Sequence, residues 1–256
     1  MASEAPRPGI DAGSVLGRAF AVLKASFLPF SIAALLLAGL PSFLDSWLFH
    51  SLDDAGDSGP LGLGWPQLFT MIGSLLGGAL LQCVLARATI RSLGGHRPDL
   101  AGSALLALRL LPPLFALTFY VLFLILIGLV CLIVPGIMIW CALMVVIPVL
   151  VEERRGVMGS IDRSRALTRG SRRQILVLGI FSWVALLAAT AVTSLIAGTP
   201  IWGNATPSDP LLAGAAEGVS AALSALIDAV VVATLYVDLR ALRDGPGADV
   251  LAGVFD

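Results

Sequence analysis

The sequence predicts an all-α, polytopic membrane protein with six transmembrane helices and short amphipathic helices on one membrane face. Three observations carry this. Hydrophobic residues make up 57% of the chain and charged residues 13%, where a soluble domain has about 25% charged residues. That leaves too little charge to coat a water-soluble globule. Six apolar runs approach or exceed the ~20 residues that a helix needs to cross a bilayer. Finally, the sixteen Lys and Arg fall in four stretches, and helices that alternate in direction bring all four to one side.

Residues 1–26 read as a tail, Met1–Ile10, and then an amphipathic helix with Ser14 as N-cap. The membrane domain covers residues 27–237, with spans at about 27–49, 66–86, 112–134, 137–151, 175–197 and 211–237. Pro41 lies in the outer part of span one. A second amphipathic helix is expected over Ser103–Leu111, and Pro135-Gly136 should make a tight turn between spans three and four. Pro148 should kink span four near its inner end. A third amphipathic helix, capped by Ser160 and ending at Gly170, precedes span five. Residues 238–256 read as a polar tail.

The segment Pro148–Gln174 fixes orientation. It carries Arg154, Arg155, Arg163, Arg165, Arg169, Arg172 and Arg173 between two apolar runs. Basic loops mark the cytoplasmic side, so both termini are expected in the cytoplasm and the protein in the plasma (inner) membrane. Trp47, Trp65, Trp140 and Trp202 are expected at the outer boundary. Gly13-Ser14, Gly102-Ser103 and Gly159-Ser160 each precede an odd-numbered span, and each such span meets a proline: Pro41, Pro135, Pro200. The unit reads as surface helix, span out, span back, three times over.

Span six holds Glu217, Ser220, Ser224 and Asp228, spaced to share a helix face. Two readings stand beside each other: a hydrogen-bonded seam with Thr190 and Ser194 of span five, or a solute or proton path. Gly73, Gly77 and Gly78 of span two permit close helix approach, within the chain or in a homo-oligomer. Asp45, His50, Asp53, Asp54 and Asp57 match no defined metal loop, and His96 reads as a solvated loop residue. Cys83, Cys131 and Cys141 sit in apolar runs without Cys-x-x-Cys spacing and read as buried apolar side chains. No catalytic motif occurs and the chain has two histidines. No enzymatic activity, cofactor or metal is expected, and the net charge of -1 gives no sign of nucleic-acid binding.

Pro148 and Glu152, then Arg163-Ser164 and Leu167-Thr168-Arg169-Gly170 before span five, form a pattern. It resembles the bacterial six-span membrane domain associated with glycerophosphoryl diester phosphodiesterases. The opening, Ile10-Asp11 through Pro41, is similar to that family's first helix and span. The family often has Trp just after the Gly, where this chain has Ser171-Arg172-Arg173. The resemblance implies the membrane part alone, since no segment is left to house the hydrolytic domain. The expected function is a non-catalytic membrane component that meets anionic lipids or a partner protein through its seven clustered arginines. A small-solute or lipid transporter working through span six is the alternative.

Overall fold

The computed structural model describes residues 11–52, 65–95, 98–131, 133–198 and 209–245. Residues 1–10 and 246–256 of the expected tails, the outer-loop residues Asp53, Asp54 and Asp57, His96, Pro200 and Trp202 lie outside these, as do the side chains of His50, Trp65 and Cys131, whereas residues 238–244 of the expected tail are helical. The described residues are helical with no strand, and six helices are long and apolar enough to cross a membrane.

Helix α1 (Ala12–Ala25) begins where the Asp11 carboxylate accepts the Gly13 and Ser14 N–H groups at 3.2 and 3.1 Å. Ser14, the expected cap, lies inside the first turn, and its hydroxyl donates to the Asp11 carbonyl. Asp caps as well as Ser, and Asp11 comes first in the chain. The second surface helix, α5 (Leu100–Arg109), also starts before its Gly-Ser pair, because Asp99 accepts the Gly102 N–H at 2.9 Å. The third, α9 (Gly156–Thr168), starts a turn ahead of Ser160, whose hydroxyl donates to the Gly156 carbonyl. It ends two residues before Gly170, which has φ +92°. The order surface helix, span, span recurs three times, as expected.

Span one comprises α2 (Phe27–Ala34), a π-helical turn (Leu35–Gly39) and α3 (Leu40–Leu52). Pro41 has no N–H to give the Leu37 carbonyl, and the wider turn falls just before it. Gly77 of span two, α4 (Trp65–Leu93), packs on that carbonyl. A Cβ there would overlap the Leu37 oxygen and sit 3.2 Å from Pro41 Cγ. Gly73 and Gly78 make no such approach, so only Gly77 of the three is a close-packing glycine within the chain.

Span three is α6 (Leu111–Cys131). Span four is α7 (Ile133–Leu143) followed by α8 (Val146–Glu153). Pro135 and Gly136 lie in the first turns of α7 instead of a tight turn. A proline is tolerated there because the N–H it lacks would be unpaired anyway. The break in span four falls at Met144–Val145, one turn before Pro148. The carbonyl that a proline cannot serve is the one four residues back, here Met144.

Spans five and six are α10 (Arg172–Ala197) and α11 (Pro210–Asp244). Helix α11 packs against spans one, two and five and against α1. Of its most apolar stretch 61% is buried, against 17% for span five. Span six is therefore the central post, and span five is a peripheral helix whose surface is left for lipid. Spans one and six cross backbone to backbone at Gly39 and Gly218: a Cβ on either would lie 2.8 Å from the other's carbonyl oxygen.

Candidate functional site: an intramembrane cavity

The spacing 217, 224, 228 winds Glu217, Ser224 and Asp228 onto one stripe of α11, and this stripe faces a cavity of about 530 Å³. Ser220 points elsewhere, about 60° round the helix. It is buried, and its hydroxyl donates to the Glu217 carbonyl. The Ser224 hydroxyl likewise donates within its own helix, to the Ser220 carbonyl at 2.7 Å.

Other spans complete the walls. Ser42 of span one, Ser74 and Gln82 of span two and Ser182 of span five bring polar groups. Val121 and Ile125 of span three and Ile147 of span four bring apolar ones. A neighbouring pocket of about 400 Å³ shares Ser74, Gln82 and Asp228 and adds Thr118. Span three packs chiefly on span four, and span five on span six. The cavity lies between these two pairs, with the 60% exposed Trp183 of span five at its rim.

Asp228 lies near the middle of α11, about 27 Å from its start and 24 Å from its end at 1.5 Å per residue. The span-five hydroxyl on the same wall is that of Ser182. The expected partners Thr190 and Ser194 are about 12 and 18 Å farther along α10 and do not line the cavity. Glu217 is exposed and sits about 10 Å into α11. Asp45 of span one acts on it electrostatically and accepts a hydrogen bond from Thr70. Trp140, expected at the outer boundary, instead lines the cavity and packs on Gly179, where a Cβ would collide with its ring.

The residues that carry the family resemblance do structural work. The break in span four ends α7 beside the Ala142 carbonyl. The Ser164 hydroxyl of α9 donates to that oxygen at 2.8 Å, and Thr168 lies 3.4 Å from it. Ser164, Leu167 and Thr168 are all fully buried. Pro148 goes with the break, and the Ser164 and Thr168 hydroxyls of the Arg-Ser-x-x-Leu-Thr sequence anchor α9 on the Ala142 carbonyl beside it.

At the basic end the focus is Glu153, the neighbour of the Glu152 that carries the resemblance. The Glu153 carboxylate accepts Arg163 Nε at 3.0 Å, Arg155 Nε at 2.9 Å and the Tyr236 hydroxyl at 3.3 Å. Arg163 also pairs with Asp244, and Arg243 donates to the Arg169 carbonyl. Asp238 pairs with Arg18 of α1. Burial opposes the Arg163 charge, but its bonds to Glu153 and Asp244 outweigh this and raise its pKa above the ordinary arginine value. The stabilisation from that shift is fully present below arginine's usual pKa and fades only as pH rises beyond it. Arg163 thus supplies no switch near neutrality. Arg154, Arg172 and Arg173 are exposed and have no carboxylate within ion-pair distance among the described residues. The partners found here, buried Tyr236, half-buried Asp238 and exposed Asp244, lie where the sequence alone shows only a span end and a polar tail.

Fold and site together define a class: an all-α, six-span membrane protein with a mostly apolar cavity among its spans that carries a few polar side chains. No protein-family model, curated protein or solved structure matches the chain.

Proposed function

We propose that the protein binds, and moves across the membrane, a small solute or lipid-derived molecule held in the cavity between its spans. The observation that carries this reading is the convergence of polar side chains from spans one, two, five and six on a cavity of about 530 Å³ at mid-span. A purely structural seam would pair such groups across helices. Here the Ser224 hydroxyl bonds within α11, and the buried Ser74 and Ser182 hydroxyls have no hydrogen-bond partner among the described residues. A volume of this size matches small-molecule sites, which run from about 300 to 1,000 Å³. The accompanying orientation puts the basic end in the cytoplasm and both termini with it, in a bacterial plasma membrane, as the positive-inside rule and the family resemblance suggest.

Labelling tests this. In a chain whose native cysteines are replaced, Ser224→Cys should react with a membrane-impermeant thiol reagent added outside intact cells. Labelling only in inside-out vesicles would reverse the orientation and keep the cavity. Absence of labelling in every preparation would overturn the cavity reading.

A second reading, a scaffold that holds anionic lipid or a partner protein, is favoured by Arg154, Arg172 and Arg173, whose charges are not consumed internally. Basic residues near an anionic surface contribute about 1 kcal/mol each. Changing these three to Gln should weaken retention of phosphatidylglycerol during purification several-fold, with insertion unaltered. Equal lipid retention would remove this reading. Arg163 is unsuitable for such a test, because its loss would disturb the Glu153 network.

A further inference from the structure

The chemistry of the cavity wall narrows the ligand, an inference that rests on the cavity reading above. Two carboxylates, Glu217 and Asp228, face the cavity, and none of its described lining residues is Lys, Arg or His. The groups around Asp228 are hydroxyls and an amide: Ser74, Gln82, Ser182 and Ser224. They can donate hydrogen bonds to a carboxylate but cannot balance its charge. A carboxylate at mid-membrane is costly unless a positive charge or water meets it. The buried Ser74 hydroxyl, without a partner of its own, adds a free polar group on the same wall. Trp140 and Trp183 also face the cavity, and the faces of indole rings attract cations. Apart from Ser42 the remaining wall is apolar, and Trp183 at the rim is exposed on the side that faces lipid.

A bare metal ion does not fit this description. The volume is far larger than an ion needs, and no group of three metal-ligating side chains occurs among the described residues. We propose that the cavity takes a hydrophobic organic cation, its apolar body against Trp140, Trp183 and span three and its positive charge at Asp228. Entry is sideways, between spans three and five, for a molecule already partitioned into lipid.

The test uses the full chain in phosphatidylcholine nanodiscs, with radiolabelled tetraphenylphosphonium as the cation and tetraphenylborate as its counterpart of like shape and opposite charge. Saturable binding of the phosphonium alone is expected, weakened at least tenfold by Asp228→Asn and retained in Asp228→Glu. The comparison of the two ions needs no variant, so it stands even where Asp228→Asn fails to fold. Unchanged phosphonium affinity in well-folded Asp228→Asn overturns the proposal. Saturable binding of tetraphenylborate instead overturns the ligand class and leaves the cavity reading in place. Binding of neither ion overturns the proposal, and labelling at Ser224→Cys then decides separately whether the cavity reading survives.

Discussion

Gly218→Leu is expected to lower the stability of the folded bundle by about 3 kcal/mol, at the upper end of what overpacking costs. The reason is the crossing of spans one and six. A Cβ at 218 would stand 2.8 Å from the Gly39 carbonyl oxygen and 3.0 Å from Phe43 Cβ. The first of these obstacles is backbone, which cannot rotate aside, so the two helices must separate. Separation uncovers Ala38, Ala222 and Leu226, all buried nearby. Net stabilities of about 5–15 kcal/mol make such a loss a large fraction of the whole. Gly73→Leu is the control. No atom lies within 4 Å of a Cβ at that position, and its effect should stay within about 0.5 kcal/mol. Thermal unfolding in one detergent, followed by far-ultraviolet circular dichroism, compares the two. Equal midpoints would contradict the described crossing.

Glu153→Ala is the second large effect, also about 3 kcal/mol. Its carboxylate is 10% exposed and Arg163 19% exposed, so their pair is largely removed from water. Deleting one partner of a fully buried pair costs about 3–5 kcal/mol, and Asp244 would still meet part of the Arg163 charge, which puts the loss at the low end of that range. Tyr236 would lose its acceptor as well. Arg155→Ala should cost less than about 1 kcal/mol, because Arg155 is 57% exposed and solvent screens its bond to the same carboxylate. The midpoint shift of Glu153→Ala should not vary between pH 6 and 9, since Arg163 stays charged throughout that range. A shift no larger than that of Arg155→Ala would show that Glu153 does not anchor the basic end.

The spans were legible because length and charge density alone decide them. Span one, expected over 27–49, is found at Phe27–Phe49. Spans two and six run farther toward the basic end than expected, since Arg87, Arg91 and Arg240 belong to their helices. An apolar count stops at the first charge, whereas a helix continues while its hydrogen bonds do. Helix starts were misjudged for a related reason. The recurring Gly-Ser pairs point to caps at Ser14 and Ser160 and to a helix start at Ser103, although Asp11 and Asp99 stand ahead of the first and second surface helices.

The site was half legible. The 3.6-residue period is enough to align Glu217, Ser224 and Asp228. It cannot say which helix stands opposite, so Ser74, Gln82 and Ser182 were out of reach, and Thr190 and Ser194 were the wrong companions. Likewise, nothing local distinguishes Glu152 from Glu153. The phase of the short helix after the break in span four turns Glu153 toward Arg163 and Tyr236.

Because span six is the post on which spans one, two and five lean, biogenesis runs against the order of packing. Helix α11 leaves the ribosome after the other five have been threaded, so the earlier helices must wait in the bilayer without the partner that joins them. A chain interrupted before residue 210 would be inserted yet lack its keystone, with Gly39 facing lipid tails instead of Gly218. Quality control in the membrane would then meet an assembly that is complete in topology and unfinished in structure.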